Sequence, residues 1–413
     1  MRFAFIGLVL GLSGALCAFE APQDGYELHE WGVFPVVPSA GWANCDMKAE
    51  WAALPKFMYR LWPEQRLPYN GPVLKPVIFF HTQKAQEVKL EVRFAEGRPL
   101  VWWPGAVSPV NEGGALSPQK LDRLNFDFYL LEANPNWHPR AAPNLHEVPK
   151  GHWFDNLRDV HAARIYAAVD HSRNGLSVEA EDFAYYDGLM KAPPPATAAR
   201  DGAKVKLSTN APFALLDTIA LERDGKILRI AKNWIARVEP GAQNSGIEWE
   251  EIPEAQQAQR IEALQAELLK RLEAAGLTGP EALSLVKTWA PGLFQRQGLQ
   301  VIARVPQETY EAWLPLKADP APVKLVRVGL LLFPHLEPER EARMEALIKQ
   351  LSSDEFEKRD AAQKALSEYG GAAFDVLEKH LKDADAETAK SCQHILDELD
   401  TRPALKPAEK TGR

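Results

Sequence analysis

Val88-Lys89-Leu90-Glu91-Val92-Arg93-Phe94 alternates apolar and charged side chains over seven positions. Successive side chains of a strand point to opposite faces, so this run buries one face and wets the other. That is the mark of an antiparallel sheet with one solvated side. Glu96-Gly97 follows as a turn, and Leu100–Trp103 reads as the partner strand.

Working outward, Pro76–His81, Asn125–Leu131 and His161–Val169 read as further strands. Between them run long stretches rich in Pro, Asn and Gly, such as Pro104–Pro118 and Ala133–Pro149. Connections of that length in a compact domain usually pack on the sheet or build a site. Residues 21–190 therefore read as a β-rich domain. Met190–Gly202 (MKAPPPATAARDG) carries three consecutive prolines, which favour an extended spacer, so 191–202 reads as a linker.

Residues 203–335 read as an α+β domain. Leu215–Arg223 and Lys226–Ile235 flank Asp224-Gly225, a pair suited to a tight hairpin turn. Pro253 can open a helix whose stripe is Ile261, Leu264, Leu268 and Leu272, with Gly276 as its stop. Thr278 and Glu281 have the spacing of a capping box, with Leu283, Val286 and Trp289 on one face of the next helix. Leu299–Val305 and Val323–Phe333 return to strand character.

From Leu336 the pattern is helical throughout. Met344, Leu347, Ile348 and Leu351 form one stripe. Ser352 with Glu355 can cap a helix carrying Phe356, Ala362, Leu366 and Tyr369, which Gly370-Gly371 ends. Ala373, Val376, Leu377, His380 and Leu381 follow at helical spacing. Asp385 can cap a last helix with Ala389, Cys392, Ile395, Leu396 and Leu399 on its face. Helices this short stack as antiparallel pairs, because none alone buries its stripe. The expected fold is multi-domain and mainly β, with antiparallel, sandwich-like sheets and inserted helices. A C-terminal all-α module over 336–400 completes it.

The two ends differ from the rest. Met1–Ala18 has a basic start at Arg2, an apolar core over Phe3–Leu12 and small residues before Ala18, the three parts of a secretory signal. An apolar core of that length does not span a bilayer of about 30 Å. No later run is apolar for 18 residues, so export to the periplasm or the exterior is expected without a transmembrane segment. Residues 401–413 are polar and read as a disordered tail. Beyond the signal only Cys45 and Cys392 remain, and two separate buried thiols are expected rather than a disulfide scaffold.

Composition excludes some partners. A net charge of −8 argues against nucleic acid, whose footprint is a basic stripe. Over Leu336–Arg413, 18 acidic residues against 13 basic ones leave no electropositive groove. No G-x-S-x-G elbow, P-loop or G-x-G-x-x-G occurs.

Three sets of side chains are candidates for chemistry. His29-Glu30, with His81, invites an acid–base reading, but neighbours in a strand face opposite sides, so a dyad needs a bulge, for which Gly32 is available. His138, His146, His152, His161 and His171 crowd within 34 residues beside Asp155, Asp159 and Asp170. Histidines with carboxylates suit Zn²⁺ or a similar cation. If His161–His171 is one strand, its ends lie about 33 Å apart at ~3.3 Å per residue, so His146, His152 and His161 are the workable metal set. Eight of the twelve tryptophans precede residue 154, and exposed aromatic rings can stack on sugars. Trp31, Trp102, Trp103, Tyr185 and Tyr186 are the binding candidates; Trp102-Trp103 must split between two faces.

Two resemblances follow from particular residues. Asp354-Glu355-Phe356-Glu357-Lys358-Arg359-Asp360-Ala361-Ala362, with Leu366 and Gly370, resembles a HEAT-type repeat over about 60 residues, which implies a protein partner. The body resembles a family of uncharacterised exported bacterial proteins. The matching residues are Leu28-His29-Glu30-Trp31-Gly32, Lys75–Phe80, Phe183–Gly188, Glu281-Ala282, Thr288-Trp289, Leu314-Pro315-Leu316 and Val326-Arg327-Val328. This chain has Val33-Phe34-Pro35 and Asp187 where that family tends to have Thr-Phe-Thr and Arg, and the resemblance carries no activity. The function expected is an exported cell-envelope binding or scaffold protein with no cofactor. An exported hydrolase, with zinc or a similar metal, and a carbohydrate-binding protein are the alternatives.

Overall fold

The computed structural model describes residues 20–61, 66–107, 121–131, 145–170, 176–201, 204–243, 245–382 and 385–399. The expected secretory signal and the expected C-terminal tail, with Trp62, Trp137, His138 and His171, lie outside them.

In chain order the first strands are β1 (Glu27–Pro35), β2 (Tyr59–Arg60), β3 (Gly71–His81), β4 (Gln86–Arg93), β5 (Gly97–Trp103) and β6 (Arg123–Leu131). Next come β7 (Arg164–Asp170), β8 (Leu176–Glu181), β9 (Ala184–Met190), β10 (Thr197–Asp201), β11 (Lys204–Ser208) and β12 (Leu215–Asp224). The last are β13 (Ile227–Ala231), β14 (Ile235–Val238), β15 (Ser245–Ile252), β16 (Gly298–Val305), β17 (Leu316–Asp319) and β18 (Lys324–Phe333). Thirteen of them form one sheet in the order β10-β11-β15-β13-β12-β16-β18-β1-β3-β9-β5-β2, with β14 paired to β12 beside that path. Five others, β17-β4-β6-β7-β8, form a second sheet.

The second sheet packs on one face of the first. Phe80 of β3 meets Phe128 of β6 with ring centres 5.8 Å apart, and Phe94 meets Tyr186 at the same separation. Helices cover the opposite face. They are α1 (Ala40–Ala52), α2 (Phe154–Arg158), α3 (Gln257–Ala274) and α4 (Gly279–Ala290). The short α5 (Gln307–Trp313) lies against β18 on the sandwich side, where Tyr310 meets Phe34.

Several local expectations differ from what is observed. The alternating strand β4 does pair antiparallel, but with β6 and β17, whereas β5 crosses to the large sheet and pairs with β9 and β2. Burial explains the separation. β4 has one wet face, whereas β5 is buried at nearly every position and belongs where both faces are covered. Gly97 makes the crossing close: a Cβ there would sit 2.4 Å from the Leu189 carbonyl oxygen. The sheet is also mixed, because β1 runs parallel to β18. That pairing, with β10 on β11, carries one sheet across the expected linker and through both expected β units.

The hairpin forms one position later than expected: Asp224 pairs with Ile227, so the two-residue turn is Gly225-Lys226, with Gly225 at φ +59°. Ile261, Leu264, Leu268 and Leu272 are the buried stripe of α3. Thr278 caps α4 and shares a capping box with Glu281. The buried face of α4 is Ala282, Leu285, Val286 and Trp289, so Leu283, about 100° round the helix from Ala282, points outward.

The C-terminal helices are α6 (Arg340–Ile348), α7 (Phe356–Glu368), α8 (Phe374–Lys379) and α9 (Ala386–Leu399). Met344, Ile348, Ala362, Leu366, Val376, Leu377, Cys392, Ile395 and Leu396 fill their core. Asp385 caps α9 by accepting from the Glu387 and Thr388 amides, each at 3.2 Å. Phe356 lies outside this core and is 65% exposed. Glu355 occupies the cap position of α7 without a side-chain bond, so the expected Ser352–Glu355 box is absent there. Cys45 and Cys392 are separate buried thiols, and burial pushes the Cys45 thiol up to about 11. No described helix is long and apolar enough to cross a membrane.

The helices dock on α1 through Phe374, whose ring lies against Gly41, with the Arg66 guanidinium over it at 4.3 Å. A Cβ at Gly41 would come within 2.2 Å of that ring. Gly41→Ala should therefore destabilise the chain by about 1–3 kcal/mol through overpacking. Urea unfolding and limited proteolysis check this, with new cleavage expected between residues 336 and 399.

Candidate functional site

β1 is buried along all but its first residue, yet it carries adjacent ionisable side chains. His29 and Glu30 point to opposite faces, as the pleat requires. The register slip at Gly32 lies between Trp31 and Val33, beyond the pair, and does not bring His29 and Glu30 together. The expected dyad is replaced by two separate clusters.

On the helix-covered face, Glu27 stands opposite His81, and His29 opposite Phe79. His29 and His81 are thus diagonal neighbours, with ring centres 4.8 Å apart. The first turn of α4 lowers Glu281 onto them. His29 Nδ1 lies 2.9 Å from one Glu281 oxygen and His81 Nε2 lies 2.8 Å from the other. The Thr278 amide donates to the same carboxylate at 2.7 Å. Glu27 Oε2 sits 3.1 Å from His29 Nε2 and 3.2 Å from Lys324 Nζ. Burial alone would raise the Glu281 carboxyl, but the hydrogen bonds from His29 and His81 outweigh it and hold the group well below the usual carboxylate range. Among the described residues this is the trio of metal-ligating side chains that comes together.

On the sandwich face, Glu30 accepts from Arg327 Nε at 2.5 Å and from the Tyr186 hydroxyl. Arg327 also donates to the Leu314 carbonyl at 2.7 Å and lies 4.2 Å from the Tyr310 ring centre. Burial opposes the Arg327 charge, and Glu30 more than restores it, so the guanidinium stays ionised. Burial pushes the Tyr186 and Tyr310 hydroxyls well up, with Glu30 adding to both.

A third cluster lies on the helix-covered face at Lys75, whose φ of 52° is in the left-handed region. The register of β3 against β9 shifts between Val73 and Val77 around it. The Lys75 amide donates to Asp187 at 2.5 Å, and its ammonium pairs with Glu50 between the rings of Trp153 and Trp289. Tyr185 donates to the other Asp187 oxygen at 2.6 Å.

The remaining candidates fall elsewhere. His146 stacks on Phe57 with ring centres 4.6 Å apart. His152 Nε2 lies 2.8 Å from the Ala53 carbonyl, and its Nδ1 accepts from the Phe154 amide. His161 is exposed, and the three do not assemble as ligands among the described residues. Trp31, Trp102, Trp103, Tyr185 and Tyr186 are all buried, so neither member of Trp102-Trp103 is the exposed one. Both faces of β5 are covered: Tyr59 stacks on Trp102, and Phe57 packs edge-on against Trp103. Those rings belong to the core and offer no stacking platform for sugars.

Glu281, Lys75, Asp187 and Arg327 complete the clusters and were not singled out as site residues from the sequence. Each nevertheless lies in a segment that carries the resemblance to exported bacterial proteins. The signal was there, but it did not say which residues meet. Compared with known proteins, the chain matches no family model and no curated sequence.

Burial pushes the Asp187 carboxyl up to about 7, against the pull of Lys75. The folded chain then binds this proton more tightly than the unfolded chain between about pH 4 and pH 7. Wild-type stability relative to Asp187→Asn should fall as pH rises through that window, by at most about 1.4 kcal/mol per pH unit. Denaturation of both proteins across a pH series checks this, and parallel profiles would refute it. Arg327→Met should cost about 3–5 kcal/mol, because it removes one partner of a fully buried ion pair and leaves Glu30 without its counter-group. Urea unfolding of the variant measures that loss.

Proposed function

We propose that this is an exported binding or scaffold protein of the cell envelope, in which a rigid β body presents a HEAT-like helical module to a protein partner. The observation that carries this reading is Phe356. It opens α7 within the segment that resembles a HEAT repeat and is 65% exposed, although the helices around it bury or half-bury their other large apolar residues. Arg359 lies beside it, 5.8 Å from the ring centre.

Rigidity of the mount supports the same reading. Phe374 fixes the module to α1, and Lys379–Glu341 and His380–Glu345 tie α8 to α6 at 2.6 and 2.8 Å. A glycan-binding role needs exposed rings, which the aromatic candidates do not offer. Hydrolysis needs a substrate to reach the histidines, and His29 and His81 are buried with Glu281.

The test is Phe356→Ser in the full chain, with partners captured by cross-linking in an envelope extract. A surface change of this kind should alter stability by no more than about 0.5 kcal/mol. Loss of a partner held by the wild type, at unchanged Tm, is the expected result. An identical partner set would end the proposal.

A further inference from the structure

We propose that His29, His81 and Glu281 form a site for one divalent cation of the zinc class, a clip that ties β1 and β3 to the start of α4. One ligand atom from each residue lies within 4.8 Å of the others. Zinc bonds of about 2.0–2.1 Å place tetrahedral ligand atoms about 3.3 Å apart, so small side-chain rotations from the present 2.8–2.9 Å contacts admit the ion. On binding, the ion takes the place of the protons that bridge each ring to the carboxylate. Two imidazole nitrogens with one carboxylate suit zinc; calcium and magnesium favour all-oxygen shells.

The surroundings of His29 give a second, independent indication. Its far nitrogen faces Glu27 Oε2 at 3.1 Å, and Lys324 steadies that carboxylate at 3.2 Å. A carboxylate behind a ligating histidine fixes the ring's tautomer and strengthens it as a donor, the usual outer shell of a zinc-bound imidazole. Glu281 is supported in the same way by the Thr278 amide at 2.7 Å. Both Glu281 oxygens face the rings, so the carboxylate can bind the ion through either of them.

Burial decides what such an ion does. His29 and Glu281 are fully buried and His81 is 2% exposed, so no substrate reaches the ion. Its role is to hold together three parts of the chain that lie 200 and 252 residues apart in the pairings through Glu281. The clip acts in the body and is independent of the partner reading at Phe356.

The experiment uses untagged full-length protein, stripped with a chelator, reloaded with zinc chloride, desalted and analysed for metal. One zinc per chain is expected in the wild type, with a higher Tm than the stripped protein. His81→Gln keeps an N–H donor for Glu281 but removes the imidazole ligand, and Glu27→Gln removes only the outer carboxylate. Both should lower zinc affinity by at least about tenfold. Zinc retention equal in the wild type and His81→Gln, or absent from both, overturns the proposal. Should His81→Gln fail to fold, cobalt(II) titration of the wild type decides. A stoichiometric visible absorption that zinc displaces supports the site, and its absence rejects it.

Discussion

A strand covered on both faces cannot hold ionised side chains unless each face brings a counter-group, and this constraint organises the molecule around β1. Glu30 stands opposite Arg327 in the parallel register of β1 with β18, and the two side chains meet at 2.5 Å. Sliding β18 by one residue would turn Arg327 to the helix-covered face and leave Glu30 alone in the sandwich core. A lone buried charge costs several kcal/mol, far more than the well-paired ion pair contributes over apolar packing. The pair therefore acts chiefly as a register lock. His29 imposes the matching demand on the other face, where α4 must bring Glu281 into place.

The left-handed backbone at Lys75 shows the same logic at smaller scale. A non-glycine residue in that region costs on the order of 1–3 kcal/mol, and it persists only where its surroundings over-determine it. Here the Lys75 amide is held by Asp187, and its ammonium by Glu50 and the faces of Trp153 and Trp289. The slip in β3 also turns the long side chain towards the helices, away from the packed sandwich. Together the three clusters stitch β1, β3, β9 and β18 to the layers above and below.

Much of the element pattern was legible locally. The period-two alternation of β4, the hairpin around Gly225, the α3 stripe and the Thr278–Glu281 box all depend on residues within a few positions of one another. The α4 face was misplaced at Leu283, because a leucine one position off the stripe looks the same as one on it until something covers the helix. Phe356 was misjudged for the same reason. The pairing of β4 with Leu100–Trp103 failed because adjacency in the chain competes with burial. The run Gly97–Trp103 has no wet face, so the large sheet claims it.

From the residues alone came the β-rich character, the change to helices near Leu336, two isolated thiols and the unease of placing His29 beside Glu30 in a strand. Only the fold decided that the expected linker continues the sheet through β10, that Glu30 meets Arg327, and that the carboxylate of the Glu281 capping box also binds two histidines. The physical reason is separation. Helix stripes, turns and caps are set by neighbours within one or two turns of chain. His81 and His29 lie 200 and 252 residues from Glu281, and Arg327 lies 297 from Glu30; these partners are chosen by which elements come to lie side by side.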